Sequence, residues 1–180
     1  PSMQLLVGKS GSGKSNLMVN MMTNDALMSD FFDEVYLISP TADADDLVQH
    51  LKLKPENVWS DLKQAVLDLE ILLDNQAYDI EEKGIEEVGK TQKILICTQS
   101  YTKVPRAIRL QSQGLALFPS SQNEVRLLCE DYCPPHKSKK DFNNIISFAT
   151  DEPYSFLYIQ NHCKTMNDRY RKRLGEIINL

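Results

Sequence analysis

Eight consecutive residues, Gly8-Lys9-Ser10-Gly11-Ser12-Gly13-Lys14-Ser15, satisfy the pattern G-x-x-x-x-G-K-[ST] at every position. Each residue type has a chemical reason. Gly8, Ser10, Gly11, Ser12 and Gly13 are small, so the backbone can wrap closely and point successive N–H groups at phosphate oxygens. A following helix would add the positive end of its dipole. Lys14 would reach the β- and γ-phosphates, and the Ser15 hydroxyl would ligate Mg²⁺. The flanks suit this reading. Met3-Gln4-Leu5-Leu6-Val7 is a short apolar run that reads as a buried strand, and a helix is expected from Gly13 to about Met28.

Hydrolysis at such a loop also needs a carboxylate near the metal and a group that positions water. The carboxylate is sought at the end of an apolar strand. Asp33-Glu34 precede their strand, at the wrong end. Val125–Asp131 is interrupted by Arg126 and carries a capping signal, Ser121 with Glu124, that makes it a helix. Lys93-Ile94-Leu95-Ile96 is followed by Cys97-Thr98-Gln99-Ser100 and not by acids. Parallel strands need a crossover of a dozen or more residues. Either Lys93–Gln99 is one strand and the acidic strand is lost, or a segment is missing between residues 96 and 97; the crossover rule favours the missing segment.

Other groups were weighed for chemistry. Cys129, Cys133 and His136 lie close in sequence, but their spacing is not that of a standard zinc knuckle. The cysteines read as buried, reduced thiols, with Cys97 in the core. Lys137, Lys139 and Lys140 form one basic cluster. Lys164, Arg169, Arg171, Lys172 and Arg173 form a second, with Tyr170 interleaved. Either could track nucleic-acid phosphates without regard to sequence, face a neighbouring subunit, or be solvated surface. Trp59 and the Met-rich first helix read as packing.

The elements that must hold these residues alternate strand and helix. Further strands are expected at Val35–Ile38, Lys93–Gln99, Leu115–Phe118 and Tyr154–Ile159. Helices are expected at Asp43–Leu51, Asp61 to about Asn75, Val104–Gln111, Ser121 to about Asp131, Lys139–Phe148 and Arg169–Ile178, with residues 78–91 as an acidic loop. This alternation predicts a mostly parallel α/β sheet with helices on both faces. With 180 residues, 42% of them hydrophobic and 25% charged, the chain has globular composition and the length of a single domain, 1–180, with a basic C-terminal extension from about 160. No apolar run approaches the roughly 20 residues of a membrane span. No secretory signal is read at the start, and four irregularly placed cysteines argue for a reducing, intracellular setting. The net charge of −5 is uneven. Residues 41–90 carry 5 basic and 13 acidic groups, whereas residues 91–180 carry 13 and 8.

GKSGSGKSNLM, then FFDEVYLISP, then CTQSYTKVPRAIRLQ with LALF after it, resembles the DNA-packaging ATPases of large DNA viruses and virophages, in the FtsK–HerA superfamily. The resemblance runs from about Met3 to Ile159. It implies a RecA-like P-loop NTPase fold, MgATP as the bound nucleotide, and an ATPase that moves double-stranded DNA into a capsid. Lys14 and Ser15 match the Walker A positions. Gln99 matches the polar sensor at the tip of a core strand. Arg109, with Arg106 as second choice, matches an arginine acting on a neighbouring subunit's ATP. The implied partners are double-stranded DNA, a homo-oligomeric ring of five or six subunits, and capsid or portal-vertex proteins. The implied setting is the host cytoplasm, the viral factory or the virion. The chain departs from the pattern at the Walker B acid, which is absent as written. A cellular or plasmid translocase of the same superfamily is one alternative, a small nucleotide or metabolite kinase another. A nucleotide-binding assembly module that does not hydrolyse is a third.

Overall fold

The structure, a computed structural model, describes residues 2–24, 32–83, 92–134, 137–163, 165 and 168–178. Hydrogen bonding orders eight strands as β3-β2-β4-β1-β5-β6-β7-β8. The result is an α/β fold with a mostly parallel, mixed sheet flanked by helices. The chain divides into two compact units, residues 1–2 with 15–96, and residues 3–14 with 97–180.

In the first unit, β2 (Glu34–Ile38) pairs in parallel with β3 (Val58–Trp59) and with β4 (Gln92–Thr98), Leu37 opposite both Val58 and Leu95. Tyr36, Leu37 and Ile38 are buried, as are Ile94, Leu95 and Ile96. Such unbroken apolar runs are what a sheet covered on both faces requires. α1 (Lys14–Thr23) buries Leu17, Met18 and Met21. The region expected as one short helix at 43–51 is a 3₁₀ turn, Ala42–Ala44, followed by α2 (Asp46–His50). Asp45 stands between them and caps α2 by accepting from the Leu47 N–H at 3.1 Å. α3 runs from Leu62 to Lys83, so residues 78–83, expected as loop, are helical. The remainder of that expected loop, 84–91, and the end of the first expected helix, 25–28, lie outside the described residues.

In the second unit, β1 (Ser2–Val7) pairs in parallel with β5 (Gly114–Leu117), Leu5 opposite Leu115. β6 (Leu157–Gln160), β7 (Tyr170–Lys172) and β8 (Glu176–Ile177) then add in antiparallel order. The remaining helices are α4 (Arg106–Gln111), α5 (Gln122–Tyr132) and α6 (Lys139–Ala149). α5 begins with the capping box foreseen from Ser121 and Glu124, and α6 has a second one from Ser138 and Asp141.

The expected basic helix over 169–178 is corrected to the β7–β8 hairpin. Tyr170 and Lys172 alternate with Arg171 in the period of a strand, buried against half-buried. The Tyr170 hydroxyl donates to the Tyr132 carbonyl at 2.6 Å and its ring meets Phe142 edge-on at 5.7 Å. Helix propensity in this segment loses to those tertiary contacts.

Candidate nucleotide site

The loop after β1 is shaped by its glycines and by one phenylalanine. Gly11 and Gly13 have φ of 74° and 99°, where side chains are disfavoured. Gly8 is needed for a different reason. A Cβ there would lie 2.6 Å from Phe118 Cβ and 2.7 Å from Ser12 Oγ. Phe118 follows β5, is buried, and donates its N–H to the Val7 carbonyl at 2.8 Å. It also comes within 3.6 Å of a Cβ placed on Gly13, so it is the floor of the loop. Tyr154 meets Gly13 from the same side, with its Cδ1 3.3 Å from such a Cβ.

The polar groups of the loop are arranged for an anion. Lys14 Nζ donates to the carbonyls of Gly8 at 2.7 Å and Lys9 at 2.8 Å, which holds the ammonium across the mouth of the loop. Ser12 Oγ is buried with no hydrogen-bond partner among the described residues, the kind of orphaned group a bound oxyanion would satisfy. Ser10 and Gly11 are exposed at the rim. The residues therefore fit a phosphate chain.

Gln99 stands one residue past β4, exposed. The preceding carbonyl, that of Thr98, accepts the Gly8 N–H at 3.1 Å. This bond ties the strand tip bearing Gln99 to the first residue of the loop.

Ser15 Oγ donates to the carboxylate of Asp45, in the turn between β2 and α2. The hydroxyl expected at the metal thus has an acidic partner that the sequence search missed. Such an acid is expected at the strand end itself, whereas Asp45 lies seven residues beyond Ile38. The signal was present in Thr41-Ala42-Asp43-Ala44-Asp45-Asp46, an acidic run past the carboxyl end of a parallel strand, where α/β sheets place ligands. Phe118 and Tyr154 gave no local signal, because they meet the loop from 105 or more residues away in sequence.

Arg109 is not at the surface. Its Nη1 donates to Asp131 Oδ2 at 2.6 Å, its guanidinium stacks over the Tyr101 ring at 4.4 Å, and its carbonyl accepts from the Tyr132 hydroxyl at 2.7 Å. Asp131 also accepts from the Tyr101 hydroxyl at 2.8 Å. Burial, then the neighbouring Tyr132 and Asp131, push the Tyr101 phenol far above its ordinary value. Arg106 reaches Asp131 at 3.3 Å from a side chain that is 70% exposed.

Of the basic clusters, Lys139 and Lys140 are exposed in the first turn of α6, whereas Lys172 pairs with Asp151 at 2.8 Å and Glu152 at 2.9 Å, and Arg173 pairs with Glu152 at 3.0 Å. Lys164 and His136 lie outside the described residues. Cys129 is buried against Asn143, and burial raises its thiol. Among the described residues, no three His, Cys, Asp or Glu side chains form a metal-holding group. No helix among them is long and apolar enough to cross a membrane.

Against solved structures, the chain is similar to the genome-packaging NTPase B204 of Sulfolobus turreted icosahedral virus 2. In complex with AMP that protein matches with a TM-score of 0.54 at 10% identity, covering 91% of this chain and 94% of B204. In complex with AMPPCP the TM-score is 0.53 at 12% identity, and with ATP-γS 0.52 at 13%, over the same shares of each chain. This chain has the fold of a viral genome-packaging NTPase. The resemblance carried by the motifs holds at the level of that packaging-NTPase fold. No family model matches the sequence, and no curated protein matches it.

Proposed function

We propose that this chain is the ATPase of a viral genome-packaging motor, binding MgATP on Gly8–Ser15 and coupling its hydrolysis to movement of double-stranded DNA into a capsid. The observation that carries this reading is a phosphate loop with an orphaned Ser12 hydroxyl and a Lys14 ammonium across its mouth, on a packaging-NTPase fold.

The backbone N–H groups of the loop and Lys14 hold the β- and γ-phosphates. Ser15 and Asp45 offer hard oxygen donors, the set that Mg²⁺ prefers. When bound, that cation neutralises charge developing on the transferred phosphoryl group. Gln99, beside the loop through the Thr98–Gly8 bond, orients the attacking water or senses the γ-phosphate. In a ring of subunits, Arg106 is the exposed arginine of its stretch that a neighbouring copy can meet; Arg109 is committed to Asp131. Lys139 and Lys140 are exposed cations at the positive end of α6, where the helix dipole disfavours them. DNA phosphates would relieve that disfavour, without sequence preference.

The test is ATP turnover with and without double-stranded DNA, for the native chain and Lys14→Ala. Turnover stimulated by DNA and lost in the variant is the expected result. Unchanged turnover in Lys14→Ala would remove the loop from the reaction.

A second reading is a nucleotide-binding assembly module that does not hydrolyse. It is favoured by the end of β4, where Thr98 and Gln99 stand and no carboxylate follows. Tight ATP binding with no turnover on any DNA would decide for it.

A further inference from the structure

Tyr154 is out of place for a structural residue. It sits in the turn between α6 and β6 with φ of 61°, a region disfavoured for a residue that carries a side chain. Its side chain is 69% exposed, so burial returns little of that cost. Its ring base nevertheless lies against Gly13, the residue before Lys14 in the phosphate loop. Two other exposed aromatic residues, Tyr78 and Phe148, have partners elsewhere: Tyr78 bonds Glu82, and the Lys172 ammonium lies over Phe148.

The turn is also held firmly. Asp151 and Glu152, just before it, are paired to Lys172, and Glu152 also to Arg173. Ser155 is fully buried, and Phe156 packs on Phe118, the floor of the loop, with ring centroids 5.0 Å apart. An exposed ring, in a strained backbone, on a braced turn, beside a phosphate cradle, is arranged to meet a ligand and not to fill a core.

We propose that Tyr154 is the stacking platform for the base of the nucleotide whose phosphates sit on Gly8–Lys14. This rests on the loop being a nucleotide site. The phosphates and Lys14 give affinity for any polyphosphate; the tyrosine face adds affinity for the nucleoside end. Stacking needs only a π-face, so the gain is the same in kind for every base.

Calorimetric titration of the native chain, Tyr154→Asn and Tyr154→Phe tests it, each with MgATP and with magnesium tripolyphosphate. Asparagine tolerates the positive φ and removes the ring, so the turn is kept. Phenylalanine keeps the ring and removes the hydroxyl. The expected result is about tenfold weaker ATP binding in Tyr154→Asn, unchanged tripolyphosphate binding, and native ATP binding in Tyr154→Phe. Three results would overturn the proposal: native ATP affinity in Tyr154→Asn, an equal loss for ATP and tripolyphosphate, or a loss in Tyr154→Phe. If the native chain binds neither compound, the nucleotide reading itself fails. If it binds tripolyphosphate and ATP equally well, that reading stands and the platform alone is wrong.

Discussion

Ser15 donates its hydroxyl to the carboxylate of Asp45, a contact spanning 30 residues of sequence. The pair supplies an acid that the strand ends do not. Asp45 also caps α2, and asparagine caps a helix about as well as aspartate. Asp45→Asn therefore removes charge and little else. It is expected to weaken Mn²⁺ binding in the presence of ATP about tenfold, followed by electron paramagnetic resonance, while metal-free nucleotide binding stays native. Unaltered Mn²⁺ affinity would exclude Asp45 from the metal.

Arg109 and Asp131 are each nearly buried, and breaking a buried pair from one side costs about 3 kcal/mol. Arg109→Ala is expected to lose about that much stability in urea unfolding. Arg106→Ala, at a side chain 70% exposed, should stay within about 0.5 kcal/mol of native. If the packaging ring forms, Arg106→Ala lowers turnover without lowering stability. Equal stability of the two variants would contradict the burial argument.

The two glycines at the start and middle of the loop fail differently. Gly8→Ala drives a methyl into Phe118 and Ser12, an overpacking worth about 1–3 kcal/mol, and should abolish ATP binding. At Gly11 a Cβ meets nothing within 4 Å, but φ is 74°. Gly11→Ala should cost about 1 kcal/mol. Thermal unfolding alongside ATP titration separates the two.

Lys93 is fully buried in β4, near the Ser2 hydroxyl at 3.3 Å and over the Phe32 ring at 5.2 Å. Burial lowers its ammonium from 10.5 to about 8. Between those values the unfolded chain binds the proton and the folded chain does not. Its contribution to stability therefore rises with pH from about 8 to about 10.5 and is unfavourable below. Lys93→Met should raise stability at pH 7 by about 2 kcal/mol and remove that rise. Denaturant midpoints measured from pH 7 to 10.5 check both.

What the sequence made legible was local. Gly8–Ser15 was readable because motif, preceding strand and following helix are contiguous, and Ser121 with Glu124 because a capping box spans four residues. Gln99 was read as a strand tip from the resemblance and the polar run after Ile96, and it stands one residue past the end of β4. The β7–β8 hairpin was not readable: β7 is three residues long, and Arg, Lys, Leu and Glu around it favour helix in isolation. Arg109 was expected to reach outward because its partner Asp131 lies 22 residues away and nothing in either segment announces the pairing. Phe118 and Tyr154 had no signal for the same reason, since each meets the loop across a fold that must exist before the contact does; Asp45 had a local signal, but seven residues past the strand end where such an acid is expected.

Among the described residues, the strand order begins with β3 and finishes with β8, and each has only two residues. So short a run offers few free backbone donors and acceptors to a strand from another molecule. Edges this short are blunted against strand addition, one of the ways a sheet protein keeps its copies from pairing edge to edge.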